Sequence, residues 1–419
     1  NQLVPHTNSG AADIGAFEVG ESWTTGTDWT PKFKRAVWKT DATSTDWHTA
    51  KNWSTGNVPT ADVHVLIPTG ASNYPIITGS NAVCNNLTIY SSASMTLSSS
   101  YTLTISGDFK NMGTATISGF TYSQNLTVES GASLIIEKTG TATVVGNFSN
   151  SGTVTMNSDA DEFSAIKVSG TTSGDVTYNR FVNVASSNEW DLIGSPVDGL
   201  SISSFVSTNT SGTATLATNG SAYAVGYYNN STDTWTNYTT GTVGGAGNFD
   251  IGKGYQMGTV SGGTQILAFT GSISSSDETQ SIINNDAANS GSGRRWNLVA
   301  NPYPSYINAN DDADNTNNFL TSNVNKIDSN FLAIYGWDAD GSGYTARGHD
   351  YNSNSAVYFA PGQAFMIASD DTSGENITFA EAMQTVSPAS SDDFISGDNM
   401  EDTEIYLKLY NGDQIIETT

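Results

Sequence analysis

"NLTIYSSASMTLSSSYTLTISGDFKNMGTATISG" occupies residues 86–119, and "NLTVESGASLIIEKTGTATVVGNFSNSGTVTMNS" occupies residues 125–158. Laid over one another at an offset of 39 residues, the two stretches need no gap and agree at 14 of 34 positions. Such a fixed internal period signals a stacked architecture. Between the turns apolar residues alternate, as in Leu87/Ile89, Met95/Leu97 and Leu103/Ile105, and a period of two means half-buried strands. Four strands of three to five residues per 39 are too regular for a sandwich. The pattern predicts a β-solenoid with coils of roughly 20 residues. Stacking would set Phe109 over Phe148 in an interior ladder and place Gly113 and Gly152 at positive-φ corners. Asn111 and Asn150 would satisfy backbone groups of the turns.

A second repeat follows. "WDLIGSPVDG" at residues 190–199 is answered by "WNLVANPYPS" at 296–305, 106 residues later. Downstream, Gly252 matches Gly362, Tyr255 matches Phe365 and Phe269 matches Phe379, with an offset of 110. This is a tandem duplication of a strand-rich unit of sandwich size, with Trp190 and Trp296 expected at equivalent core positions. Helical signal is confined to "SISSFVSTN" and "YINANDDADNTNNFLTS", each following a Trp…Pro phrase. The expected class is all-β, a short β-solenoid followed by tandem duplicated β-sandwich (jelly-roll-like) units. Its expected parts are the tail of an upstream parallel β-helix (1–20), a linker (21–37), a solenoid with a Trp-rich cap (38–175), two sandwich units (176–283 and 284–395) and the start of a further β module (396–419).

Composition narrows the function classes. Only 13% of residues are charged, yet the net charge is −26, and 41 glycines accompany abundant Ser, Thr and Asn. An acidic surface repels phosphate backbones and argues against nucleic-acid partners; it suits divalent cations, salt-rich surroundings or simple solubility. Cys84, in "AVCNNLTIY", is the one cysteine, so no disulfide forms within the chain, and it reads as a small buried hydrophobe. No apolar run has the length of a membrane-spanning helix. The opening "NQLVPHTNSG" and the closing "QIIETT" read as cuts from a longer precursor.

The chemistry-bearing residues are sparse. Of His6, His48, His64 and His349, none falls between residues 65 and 348, which excludes Ser–His or Cys–His nucleophiles from that span. "GGAGNFDIGKGY" has glycines but no amphipathic helix after it, so it is no phosphate loop. Acidic clusters lie in turn-like composition at 159–163, 308–315, 338–350 and 391–394. In the third, Asp338, Asp340, Ser342 and Tyr344 fall at ligand positions of a calcium loop with Gly343 at its corner. His349 stands where a bidentate Glu is needed, and Asp350 comes one residue late. Two readings stay open, a calcium site or a Gly-rich hairpin turn. "DDADN", with Asp311, Asp312 and Asp314, poses the same choice. Trp38, Trp47 and Trp53 either cap the open end of a β-structure or form a stacking platform for glycans.

Several phrases carry a family resemblance. "DIGAFE" at 13–18 is similar to the closing phrase of right-handed parallel β-helix domains. The "DW…NWSTGNVP" run, the "NLTI" coils, "NPYPS" and "PGQAF" resemble large secreted surface proteins of the type IX secretion pathway. That group includes gliding and attachment adhesins and some multidomain polysaccharide-degrading enzymes. The resemblance implies an extracellular, cell-surface location, and partners among extracellular surfaces or polysaccharides and the secretion and anchoring machinery. The lack of a long apolar run argues against membrane insertion. The expected function is a non-catalytic stalk or adhesive region. The alternative is an accessory region of a secreted polysaccharide-degrading enzyme whose active site lies upstream of residue 1.

Overall fold

Three parallel sheets wind through the first part of the protein, each taking one strand from every coil. In this computed structural model the described residues are 34–185, 190–211, 215–286, 293–338, 343–348, 356–386, 408–411 and 414–418. Residues 35–419 form one unit. The expected β-helix tail and nearly all of the expected linker lie outside the described residues. Of the expected closing module, a hairpin pairing Lys408–Asn411 with Gln414–Thr418 is described.

The solenoid registers follow the sequence period. Val65, Leu87, Phe109, Leu126 and Phe148 are successive partners in one sheet. Ile77, Leu97, Ile117, Ile136, Met156 and Tyr178 are successive partners in another. All these side chains are buried. Residues 39 apart in the sequence alignment are therefore two coils apart, with Phe109 and Phe148 in one ladder and Leu126 between them. Each coil supplies three strands, so the 39-residue repeat holds six short strands rather than four. The outward positions are mostly Thr and Ser, as in the row Thr96, Thr116, Ile135, Thr155 and Thr177, which suits β-branched and hydroxyl side chains on a solvated pleat. Cys84 lies in the core, where burial pushes its thiol up to about 12 and leaves it inert.

The corners correct one expectation. Gly113 and Gly152 do not adopt positive φ; at these equivalent corners that conformation belongs to Ser92 and Gly131, one coil earlier. Gly113 and Gly152 are required by proximity instead. A Cβ would stand 2.3 Å from the Ala93 carbonyl oxygen at Gly113, and 2.5 Å from that of Ala132 at Gly152. The two asparagines behave as expected. Asn111 accepts from Gly113 N–H at 3.1 Å and donates to the Ser133 carbonyl at 2.8 Å. Asn150 repeats the arrangement with Gly152 N–H and the Asp175 carbonyl. Each buried amide thus ties its own corner to the next coil.

The duplicated units are two lobes with one strand order. In the first, Asp191–Ile193, Tyr255–Met257, Ala222–Asn229 and Thr234–Thr239 lie side by side. In the second, the order is Trp296–Ala300, Ala364–Ala368, Ala333–Asp338 and Gly343–Gly348. Behind each sheet an antiparallel pair completes the sandwich, Asp175–Phe181 with Ile266–Ser272 and Glu278–Ile282 with Glu375–Phe379. The expected short helices are Ile202–Asn209 and Phe319–Asn323. Each ends on a buried asparagine that clamps a strand: Asn209 exchanges hydrogen bonds with the Ala268 backbone, and Asn323 does the same with Thr378. Trp190 and Trp296 are half-buried rather than core, each lying over the edge of an apolar cluster.

The repeated phrase proves to be a reciprocal lock between the lobes. Gly194 N–H donates to the Gly362 carbonyl at 2.7 Å, and Ala300 N–H donates to the Gly252 carbonyl at 2.9 Å. Gly194 and Ala300 are equivalent, as are Gly252 and Gly362, whose φ values are +76° and +71°. Each lobe therefore gives the other the same bond, as an approximate two-fold axis requires. Leu192, Leu298, Ala300, Ala364 and Met366 pack between the sheets.

No linker separates stem from lobes. Asp175–Phe181 pairs with solenoid strand Thr153–Asn157 on one side and with Ile266–Ser272 on the other. A single seven-stranded sheet thus runs from Ile76–Ile77 to Ile266–Ser272. The second lobe folds back on the same end: Ile166 N–H donates to the Pro304 carbonyl at 2.8 Å, and Lys167 Nζ to that of Gln384 at 2.9 Å. Buried Arg180 lies over the Phe163 ring at 4.0 Å and donates to the Pro361 carbonyl at 2.9 Å. The second lobe therefore covers the end of the stem instead of extending it.

Two outcomes are expected. Phe148→Ala should lower the unfolding free energy of the full chain by about 3–5 kcal/mol in denaturant titration, whereas exposed Tyr122→Ala should change it by less than about 0.5 kcal/mol. At the lock, a Cβ on Gly194 would fall 2.3 Å from that of Ala300. Gly194→Ala should cost about 1–3 kcal/mol, and adding Ala300→Gly should recover part of it. A double-mutant cycle measures that coupling, and strictly additive costs would show that the two positions do not meet.

Candidate functional site: an aromatic cleft between the lobes

The three tryptophans singled out by sequence are a packed cap. Trp38, Trp47 and Trp53 are all fully buried. Trp53 stands edge-on to Trp38 at 4.9 Å and to Trp47 at 4.7 Å, the perpendicular arrangement that indole quadrupoles favour. Trp38 Nε1 donates to the Asn73 carbonyl and Trp53 Nε1 to the Trp47 carbonyl, both at 2.7 Å. Asn52, also fully buried, accepts from Thr43 N–H and donates to the carbonyls of Ser44 and Asp46. The Asp46 carboxyl is held below its usual range, chiefly by the Thr49 hydroxyl. All three indoles are covered, so of the two readings of Trp38, Trp47 and Trp53 the cap holds and the glycan platform does not. A coil end exposes apolar interior, and the indoles are spent covering it.

The calcium-loop residues fall mostly beyond view. Asp340, Ser342 and Asp350 lie outside the described residues, as do the side chains of Asp338 and Tyr344. The backbone pairs Asp338 with Gly343, the last partners of two antiparallel strands. The counterpart in the first lobe is a hairpin that closes on Asn229 and Thr234 around 230–233. The cluster at 391–394 lies outside the described residues, and in the two remaining clusters several carboxylates have partners within the protein. Asp311 accepts from Asn318 Nδ2 at 2.9 Å, and Asp314 accepts from the backbone N–H groups of Thr316 and Asn317 at 2.9 Å, which holds its carboxyl low. Asp159 and Glu162 both pair with Lys138. Among the described residues no three His, Cys, Asp or Glu side chains converge as metal ligands would.

What the lobes build between them is a cleft of about 380 Å³, lined by Tyr228, Asp233, Trp235, Gly293, Trp296, Tyr335 and Met366. One wall comes from the first-lobe hairpin, where Tyr228 and Trp235 are direct cross-strand partners with ring centroids 5.2 Å apart. The opposite wall comes from the second-lobe sheet, where the Trp296 and Tyr335 rings meet edge-on at 4.7 Å. Tyr335 pairs with Met366, whose buried side chain forms part of the lining. One end is polar. Asp233, an exposed residue at φ +58°, turns its carboxylate to within 2.8 Å of the Tyr228 hydroxyl and accepts from Gly293 N–H at 3.0 Å. A Cβ at Gly293 would lie 2.2 Å from the Asp233 carboxylate and would displace it. Trp235 is 38% exposed, large for an indole.

Sequence reasoning missed this site. The sequence pattern places Trp296 in the core and does not single out "YYNNSTDTW" at 227–235. The available signal was a pair of large aromatics flanking a polar four-residue turn, which cross-strand pairing brings to one face. The lobes are not equivalent here. In the first, Gly226 takes the place of Tyr335 and Gln256 that of Met366, and Gln256 donates to Asn237. A Cβ at Gly226 would strike Asn237 Oδ1 at 2.4 Å. The duplication kept the scaffold, while aromatic lining at these positions developed in one copy only.

Comparison with known proteins gives a family without an activity. No curated protein and no solved structure matches the chain. One family model, described as a domain of unknown function (DUF8693), matches residues 37–119 and 109–419. The two matches overlap within the solenoid, where one coil resembles the next, and together they span the cap, the stem and both lobes. On that coverage the chain belongs to the DUF8693 family.

Proposed function

We propose that this chain is a non-catalytic structural and adhesive region of a large secreted cell-surface protein, a stiff stem that presents a two-lobed head to an extracellular surface or polysaccharide. The observation that carries the reading is the unbroken seven-stranded sheet from Ile76–Ile77 to Ile266–Ser272. A hinge between stem and head would have to break its ladder of backbone hydrogen bonds. Force applied at the head therefore passes into the stem through strand pairing rather than through a linker. The acidic, weakly charged composition and the absence, among the described residues, of any helix able to cross a membrane accord with this reading. The export route of the type IX pathway and a role in gliding or attachment belong to the same proposal, on the sequence phrases quoted above.

Calorimetry and retention test it together. The stem and the first lobe should melt in one transition, and the full chain should be retained on an insoluble polysaccharide matrix without releasing reducing ends. Independent melting of stem and lobe would remove the mechanical argument. Release of reducing ends would replace the reading with an enzymatic one.

Calcium at the 338–350 loop is part of the proposal. A divalent ion would relieve repulsion between Asp338 and Asp340 on a chain of net charge −26. Millimolar calcium should raise the melting temperature of the full chain over that in chelator, because linkage to the folded state adds about 2.7 kcal/mol of stability at a hundredfold excess over Kd. Asp338→Asn/Asp340→Asn should abolish the difference. Identical melts of the unaltered chain in both buffers would leave the loop as a plain hairpin turn.

A further inference from the structure

The inter-lobe cleft has the features of a built ligand site rather than a packing gap. Four aromatic rings line it in tilted and edge-on pairs, and Trp235 among them is 38% exposed. Its volume, about 380 Å³, is at the small-ligand end of the range for binding pockets. It lies across an interface that the reciprocal backbone bonds hold fixed, so its walls are preorganised. Its polar atoms cluster at one end, where the Asp233 carboxylate keeps acceptor capacity beyond its two protein donors.

Those features select a chemistry. A ligand must offer a flat, weakly apolar face to Trp235 and to the Trp296–Tyr335 pair, and donors to a carboxylate. Pyranose rings do both: their axial C–H groups carry partial positive charge that suits the negative face of an aromatic ring, and their hydroxyls donate. A carboxylate at the polar end, on a chain of net charge −26, disfavours uronic and sulfated sugars. The divergence of the lobes points the same way. The position equivalent to Tyr335 is Gly226, beside a Gln256–Asn237 hydrogen bond. At this pair of positions the scaffold carries Tyr335 and Met366 in one lobe and Gly226 and Gln256 in the other.

We propose that the cleft binds neutral hexopyranose units of an extracellular polysaccharide, with a sugar ring stacked on Trp235 and on the Trp296–Tyr335 wall and its hydroxyls bonded to Asp233. The proposal rests on the adhesive reading above and names its ligand class.

The test uses the full chain with cellohexaose, laminarihexaose, mannohexaose and, as the acidic contrast, hexagalacturonate, followed by calorimetry and tryptophan fluorescence. At least one neutral hexasaccharide should bind saturably and perturb the fluorescence, and hexagalacturonate should bind at least tenfold more weakly. Trp235→Ala, at an exposed position, should fold normally and weaken the neutral ligand about tenfold. Asp233→Asn, which tolerates the left-handed backbone, should weaken neutral-ligand binding and narrow the preference over hexagalacturonate. Tyr122→Ala, on the solenoid surface, should bind as the unaltered chain does. The proposal is overturned if no neutral hexasaccharide binds, if Trp235→Ala binds as tightly as Tyr122→Ala, or if hexagalacturonate is the tightest ligand. Should Trp235→Ala keep its affinity while the matrix still retains the chain, the cleft is the wrong site and the adhesive reading survives. Loss of retention by the unaltered chain sinks that reading itself.

Discussion

A stack of parallel coils has two ends, and neither can be left open. Every coil satisfies its neighbours' backbone groups and covers their apolar interior, so the first and last coils each present unpaired strand edges and a bare core. The rest of the molecule is organised by that constraint. At the amino-terminal end Trp38 N–H bonds to the Leu66 carbonyl and Trp47 N–H to that of Ile76, drawing three indoles over the first coil. At the other end each sheet is finished by a different part of the head. One continues into Ile266–Ser272, one receives the Pro304 carbonyl at Ile166, and the last is joined through Thr172 Oγ1 to the Ile273 carbonyl. The head is therefore the stem's cap before it is anything else.

A single lobe would not suffice for this. The first lobe extends one sheet and touches a second; the remaining edge is reached by the second lobe, which must be held at a fixed angle to the first. The duplicated Trp…Pro phrases supply that angle. Gly194 and Ala300 of these phrases approach Gly362 and Gly252 closely enough for hydrogen bonds to pass between lobes, and buried Arg180 ties the strand shared by stem and first lobe to Pro361 of the second. The phrase recurs because an approximate two-fold interface needs the same surface on both partners.

How much of this was legible follows from the range of each interaction. The ladder of Val65, Leu87, Phe109, Leu126 and Phe148 could be read because coil stacking turns a distant contact into a fixed sequence offset. The lobe core could be read because duplication printed it twice, in Phe269 and Phe379. The role of Gly113 could not: the carbonyl it avoids belongs to Ala93, and sequence does not distinguish a glycine needed for its φ from one needed for its missing Cβ. Nor could the tryptophan composition say which indoles are covered. Trp53 and Trp235 look alike in sequence, yet one closes a coil and the other stands at a cleft. The cleft itself joins Tyr228 to Trp296 through the lock, an encounter that no local pattern encodes.

The same lock explains why a binding site belongs where the cleft is. An approximate two-fold axis relates the two lobe sheets, and identical copies would present identical faces. Substitution at two aligned positions breaks the tie, since Tyr335 with Met366 makes an apolar wall and Gly226 with Gln256 a polar one. Neither change disturbs the backbone bonds between Gly194 and Gly362 or between Ala300 and Gly252. The scaffold that caps the stem is thus insulated from the side chains that line the crevice. Side chains lining the cleft are free to change at little cost to the fold, whereas a Cβ added at Gly194 would fall 2.3 Å from that of Ala300 in the lock.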